Sequence, residues 1–287
     1  MERLISFFDH IQPWQRSLLL AGGLVFFWIL EGFFPKFHFR YQKFRHARLN
    51  LLFTFTTLLI NLAFAFAILR VSQYGSTRHY GLLYWVRLPS WLFLLAGVLI
   101  LDLVSAWFIH WLEHRIKWMW KFHLVHHADT WVDVTTANRH HPGESVLRAF
   151  FTLLAVWITG APMWLVFFYQ SISVLFAQFS HANISLPKCL DHALSWVIVS
   201  PDMHKVHHHY LLPLTDTNYG NIFSIWDRLL GTFVRVEDTR ELQYGIDLIA
   251  SEEENNRAGA LMQIPFLPYR SPEGAKFSRE DKAAGHP

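Results

Sequence analysis

The residue that this chain uses to excess is histidine. It has 18, and 13 of them fall between His110 and His209. His110 and His114 stand four apart in IHWLEH, which on a helix sets them roughly 40° apart in azimuth and about 6 Å apart along the axis, so both imidazoles can face one site. His123, His126 and His127 in FHLVHH, and His204, His207 and His208 in MHKVHH, repeat the device with i, i+3, i+4 spacing. Between these groups stand His141 in NRHHPGE and His181 in FSHANI. The segment therefore offers ten candidate nitrogen ligands.

Any one of these histidines taken alone could snorkel at a membrane interface, bond a lipid phosphate or cap a helix. Ten together are different, because imidazoles crowded at near-neutral pH accumulate partial positive charge unless a cation replaces their protons. A zinc site needs three or four ligands. Ten fit two metal ions with four or five nitrogens each and open positions for dioxygen or water. Imidazole suits Fe, Zn and Cu alike, so the ligands by themselves do not choose the metal. Of the adjacent pair His140 and His141 only one can point inward, and His141, which precedes the proline, is taken as the ligand. His192 and His209 are assigned outer or interfacial roles.

Rival chemistries fit less of the pattern. HWLEH contains an HxxEH string in which Glu113 would be the base of a zinc hydrolase, but that leaves eight other candidate histidines unexplained. A membrane metal carrier would also cluster histidines, on broken helices near the bilayer midplane rather than at helix ends. With one cysteine, Cys189, the chain cannot hold an internal disulfide, a zinc-thiolate cluster or a Cys-ligated iron–sulfur centre. A net charge of +3 gives no support for nucleic-acid binding. There is no GxGxxG turn or Walker loop, and HPGE, a string also found in the haem loop of cytochrome b5, has no acidic soluble domain around it.

The elements that must position the histidines are membrane helices. At 52% hydrophobic and 16% charged the chain is too apolar for an ordinary soluble domain. Apolar runs over 17–34, 49–69, 90–112 and 161–179 each approach the ~20 residues needed to span a bilayer. Residues 149–160 fall short and make with 161–179 either two spans or a shallower hairpin. The first run is long and lacks a small-residue cleavage site, so it reads as a helix rather than a signal peptide. Residues 35–48 carry Lys36, Arg40, Lys43, Arg45 and Arg48 with no acid, which puts that loop in the cytoplasm. The third span then descends to the same side with His110 and His114, and the hairpin returns His181 to it. The expected fold is an all-α polytopic bundle of about four to five spans under a cytoplasmic histidine-rich helical cap. Three divisions are expected: N-terminal membrane helices over 1–89, a catalytic region over 90–250, and a loosely ordered tail over 251–287.

From Asp102 to about Phe233 the sequence resembles the integral-membrane di-iron fatty acid hydroxylase and sterol desaturase superfamily. The resemblance rests on HxxxH at His110 and His114, HxxHH at His123–His127 and again at His204–His208, RHHPGE at Arg139–Glu144, SHAN at Ser180–Asn183, and YGNIFSIWDRLLGTF. It implies that His141 and His181 complete the ligand set, and that Asp102, Glu144, Asn183 and Asp202 fix imidazole tautomers from behind. For Asp102 the alternative is that it merely bonds backbone. The resemblance further implies two iron ions and dioxygen as co-substrate, with a fatty acyl or sterol-like lipid hydroxylated at an unactivated C–H bond; desaturation on the same site is the alternative outcome. Trp107, Trp111, Trp118 and Trp120 either wall the substrate cleft or form an interfacial aromatic belt. No flavin, haem or cluster motif is present, so electrons would come from a separate ferredoxin, cytochrome b5 or reductase.

Overall fold

The computed structural model describes residues 1–246 and 255–268. The chain is an all-helical integral membrane protein, and among the described residues no strand forms. Helix α1 (Glu2–Asp9) lies ahead of α2 (Pro13–Phe33), which opens with proline in its first turn and a reciprocal Gln12–Gln15 capping box. Helix α3 (Lys43–Arg78) has 36 residues. At about 54 Å it exceeds a hydrocarbon layer of about 30 Å, so the expected span 49–69 is its middle and its basic first turns project beyond. The third span is continuous from Ser90 to Arg115 and comprises α4 (Ser90–Asp102), a π-helical stretch (Leu103–Phe108) and α5 (Ile109–Arg115). A π-helical turn widens the helix just before the first histidine pair, a placement common beside functional sites.

Helix α6 (Lys117–His127) carries the second histidine group, and α7 (Pro142–Thr159) and α8 (Met163–His181) form the hairpin. Among the described residues four helices are long and apolar enough to cross a membrane, and α7 is not one of them. The apolar run 149–160 is the far half of α7, whose near half buries Glu144 and Ser145. Gly160 ends α7 with φ 70°, and a Cβ there would lie 1.7 Å from the Tyr80 carbonyl oxygen, so only glycine fits. Short helices α9 (Lys188–Leu194), α10 (Pro201–His207) and α11 (Ile225–Leu229) complete the cap.

The apolar core lies between α3, α4, α7 and α8, where Leu101, Val156, Leu165 and Val166 are buried together with Ile222 from the segment before α11. Leu18, Phe26, Leu62 and Phe66 are exposed on the outer faces of α2 and α3, as lipid-facing residues are. The C-terminal ends of α2, α5 and α8 and the N-terminal end of α3 meet at one face, where Pro35 forms a backbone bridge with Ile184.

Part of the expected loose tail is ordered. Residues 251–254 and 269–287 lie outside the described residues, but 255–268 include α12 (Ala258–Gln263). Its Leu261 is fully buried against Leu49, Phe53, Val125 and Ala128, and Asn255 accepts a hydrogen bond from Arg139 Nη2 at 3.1 Å. The buried apolar side chain and the buried guanidinium give this segment partners that a polar composition hides.

Candidate metal centre

Nine of the ten expected ligands gather into two adjoining groups. His110, His114, His123, His127 and His207 form one, and His126, His181, His204 and His208 the other; within each group the nitrogens all lie within 4.8 Å of one another. All nine are buried. The i, i+3, i+4 spacing of α6 divides between the groups, since His123 and His127 face the first and His126 the second. The third histidine group divides likewise, with His207 in the first cluster and His204 and His208 in the second. Two such helices, crossing the ends of α5 and α8, are enough to build both clusters.

Hydrogen bonds on the far side of the rings fix several tautomers. His110 Nδ1 donates to the Tyr219 carbonyl at 2.8 Å, His207 Nδ1 to that of Thr217 at 2.7 Å, and His181 Nδ1 to that of Ala177 at 2.7 Å. His123 Nδ1 donates to Glu144 Oε1 at 2.8 Å and His114 Nδ1 to Asp216 Oδ1 at 3.2 Å. The carbonyl acceptors have no proton to give, so in His110, His181 and His207 the proton is on Nδ1 and each Nε2 presents a lone pair inward.

Inward nitrogens then crowd against one another, and at His110 and His181 the Nε2 that faces its neighbours carries no proton. His110 Nε2 lies 3.1 Å from His123 Nε2, and His181 Nε2 lies 3.2, 3.0 and 3.2 Å from the Nε2 atoms of His126, His204 and His208. Further buried nitrogens, His114 Nε2, both of His127 and His207 Nε2, have no hydrogen-bond partner. Converging lone pairs in a buried site repel and are costly to desolvate. Two ligands bound at right angles to one cation at about 2.1 Å stand about 3 Å apart, which is the separation found. The donor set thus fits metal in both clusters. Burial, reinforced by neighbouring imidazoles, holds His123, His126, His127, His204, His207 and His208 well below the ordinary imidazole range, which keeps them neutral as ligands must be.

His141 is the one expected ligand that stays out. Its Nδ1 accepts from Gly143 N as the N-cap of α7, while its Nε2 meets the Met262 carbonyl at 3.2 Å and its ring lies against Phe122. The neighbouring His140 is the member of the pair that faces the centre, with its ring 5.1 Å from that of His126. Adjacent side chains do point apart, but a histidine before proline is well suited to cap the helix that the proline starts, and His141 is used for that.

The four expected supporting residues also divide. Glu144 holds His123, as stated. Asp102, Asn183 and Asp202 touch no imidazole. Asp102, fully buried, accepts from the Ile222 and Phe223 amides at 3.3 Å each and from Trp226 Nε1 at 3.0 Å, pinning the closing segment to the third span. Asn183 bonds both backbone groups of Phe37, and Asp202 pairs with Lys36 at 2.9 Å. Asn183 and Asp202 are clasps on the loop between α2 and α3, as Asp102 is on the closing segment, and all three secure the chain rather than the rings.

Sequence reasoning missed other members. Asp216, which holds His114, sits in a TDTN string with no distinguishing spacing. Glu31, the one acid in the first apolar run, accepts from the Val134 and Asn183 amides at 2.7 and 2.8 Å. An acid inside a span is by default a position of consequence, and that signal was available. Arg148 bonds Glu113 Oε2 at 2.5 Å and Glu144 Oε1 at 2.9 Å, so Glu113 is engaged by a guanidinium and not poised as a hydrolase base. Of the tryptophans, Trp120 packs its ring 4.8 Å from His114, Trp107 stacks on Trp111 and bonds Asp227, and Trp118 is exposed. Trp120 therefore walls the first cluster and Trp118 alone fits an outer belt.

Residues 94–232 match the model of the fatty acid hydroxylase family. Similar proteins include the ornithine lipid hydroxylase of Rhizobium tropici, 27% identical over 48% of this chain and 42% of its own length. An alkylglycerol monooxygenase of Danio rerio is 30% identical over 58% of this chain and 35% of its own length. Methylsterol monooxygenase 2-2 of Arabidopsis thaliana is 28% identical over 57% of this chain and 62% of its own. The matched segment thus spans less than two thirds of each of these relatives. No solved structure matches the chain.

Proposed function

Because residues 94–232 match the fatty acid hydroxylase model, we propose that the chain's two histidine clusters hold two iron ions and that it hydroxylates a C–H bond of a membrane lipid with dioxygen and externally supplied electrons. The observation that carries the reading is the pair of adjoining, buried, all-nitrogen clusters at the ends of apolar helices. The relatives named as lipid, alkylglycerol and methylsterol oxygenases support an acyl- or sterol-like substrate. Iron in such a site supplies the oxidising power that an unactivated C–H bond requires.

The protein's own contribution is placement. Glu144, Asp216 and the carbonyls of Ala177, Thr217 and Tyr219 turn five imidazoles so that their lone pairs converge. Arg148 lies between Glu113 and Glu144 and offsets carboxylate charge that would otherwise stand unpaired beside His123. Burial excludes water from the rings, which limits loss of oxidising equivalents to solvent. Electrons are supplied by a separate ferredoxin, cytochrome b5 or reductase, and the basic loop over 35–48 favours a cytoplasmic face for the centre.

The test is to express the chain with a competent electron donor under labelled dioxygen and to analyse total lipids by mass spectrometry. A lipid carrying one labelled oxygen is the expected product. A product lacking two hydrogens assigns the chain to desaturation, and no oxygen-dependent change with verified metal and donor overturns the oxygenase reading.

A further inference from the structure

Outside the metal centre, the five cations of residues 36–48 have unequal fates. Lys36 pairs with Asp202 and Lys43 with Glu31. Among the described residues Arg40 and Arg45 pair with no carboxylate, and both are exposed. They line, with Tyr41, Gln42, His46 and Trp131, a cavity of about 580 Å³ at the start of α3. Tyr41 and Trp131 stack at 5.6 Å with their planes 21° apart and form a stiff aromatic wall.

We propose that this cavity is a binding site for the phosphate of an anionic lipid headgroup. Two guanidinium forks on one rim match the several oxygens of a phosphate, and Lys36 and Lys43 are already committed elsewhere. The floor is His46, which is 2% exposed; Asp129 takes its Nε2 at 2.8 Å, and its Nδ1 makes no hydrogen bond although Asp133 Oδ2 lies 3.3 Å away. Gln42 provides no side-chain cap to α3, so the positive end of a 36-residue helix opens beside the arginines. A lipid rather than free phosphate is indicated by what flanks the site. Phe44, between the lining residues Gln42 and Arg45, is 79% exposed, and Phe33 and Phe34 at the end of α2 are 73% and 60% exposed, which is apolar surface for acyl chains on the segment that carries the cationic cavity. The floor is also tied to the metal face, since Asp129 follows His127 by two residues. The site is a claim about binding and stands apart from the reaction assigned above.

The experiment titrates the full chain, purified in an uncharged maltoside detergent, with dihexanoyl phosphatidic acid by calorimetry. Dihexanoylglycerol and inorganic phosphate are the controls. Saturable binding near one per chain is expected, with the diacylglycerol silent and inorganic phosphate about ten-fold weaker or more. The double variant R40Q/R45Q should weaken phosphatidate binding about ten-fold or more, with unchanged melting temperature because among the described residues neither arginine is in an ion pair. Gln42→Asp gives an independent reading. An N-cap aspartate favours α3, so folding is preserved or improved, while its carboxylate enters the cavity and should weaken binding in the same direction. Affinity unaltered by both changes, or a diacylglycerol that binds as tightly, overturns the site; inorganic phosphate as tight as the lipid overturns the lipid assignment.

Discussion

In the five-histidine cluster four rings have their Nδ1 atoms held from behind, two by the carboxylates of Glu144 and Asp216 and two by the carbonyls of Thr217 and Tyr219. In the four-histidine cluster only His181 is so held, and the Nδ1 atoms of His126, His204 and His208 are buried without a partner among the described residues. Partners behind a ligand fix its orientation and raise its basicity. The first cluster is therefore organised by the protein before metal arrives, whereas the second depends on His181, whose Nε2 is the shared neighbour of the other three.

The largest effect should come from removing that shared neighbour. His181→Ala is expected to lose the metal of the four-histidine cluster and retain that of the other, so that elemental analysis falls from two metal ions per chain to one. Turnover should drop by more than about a hundred-fold, as expected when a metal-dependent step loses one of its ions. Loss of both ions would mean that the two clusters are one cooperative unit and would erase the contrast between them. Acid should expose the same difference. The buried histidines have folded pKa values below their unfolded value of about 6.5, so the unfolded chain binds more protons and stability falls as pH drops below about 6.5. Melting of the metal-free protein across pH 8 to 5 should show that decline, and in the loaded protein the less supported cluster should release its ion first.

Next in size is the support of the five-histidine cluster. Asp216→Asn removes the charge behind His114 and should weaken that cluster's metal affinity by about 10- to 100-fold while leaving the other unchanged. Competition with a chelator, followed ion by ion, makes the comparison. Glu144→Gln should act alike through His123, with an added loss of folding stability because Arg148 keeps one carboxylate instead of two. Asp102→Asn separates the two kinds of buried acid. Its bonds go to Ile222, Phe223 and Trp226, so about 1–3 kcal/mol of stability should be lost with metal content intact. A lower metal count at unchanged stability would return Asp102 to the centre.

The membrane helices and the nine clustered histidines were legible in sequence because both are periodic properties. Apolar length announces a span, and i, i+3, i+4 histidines announce a shared face whatever the tertiary arrangement. Roles decided by tertiary contact were not legible. Asp102, Asn183 and Asp202 have the residue types of imidazole partners, yet long-range packing against Trp226, Phe37 and Lys36 takes them, while Asp216 becomes a partner because its loop closes over α5. Similarly, the polar composition after Ser251 hid Leu261, whose burial depends on a surface made by α3 and α6.

The smallest effect is expected at His141, and it tests whether the second cluster borrows a ligand from the RHHP turn. His141 Nδ1 accepts the Gly143 amide and holds the first turn of α7, the turn from which Glu144 reaches His123. His141→Asn preserves an N-cap acceptor and should change neither metal content nor turnover appreciably; His141→Ala should lose about 1 kcal/mol of stability, typical of a missing cap, at full metal occupancy. His140→Ala is the matched control, since its ring lies 5.1 Å from that of His126. If the four-histidine cluster draws on a fifth nitrogen, the His140 change lowers its metal affinity and the His141 change does not. The reverse order, with metal lost in His141→Asn despite an intact cap, would mean that the turn rearranges on loading and that His141 swings inward to complete the set of ten.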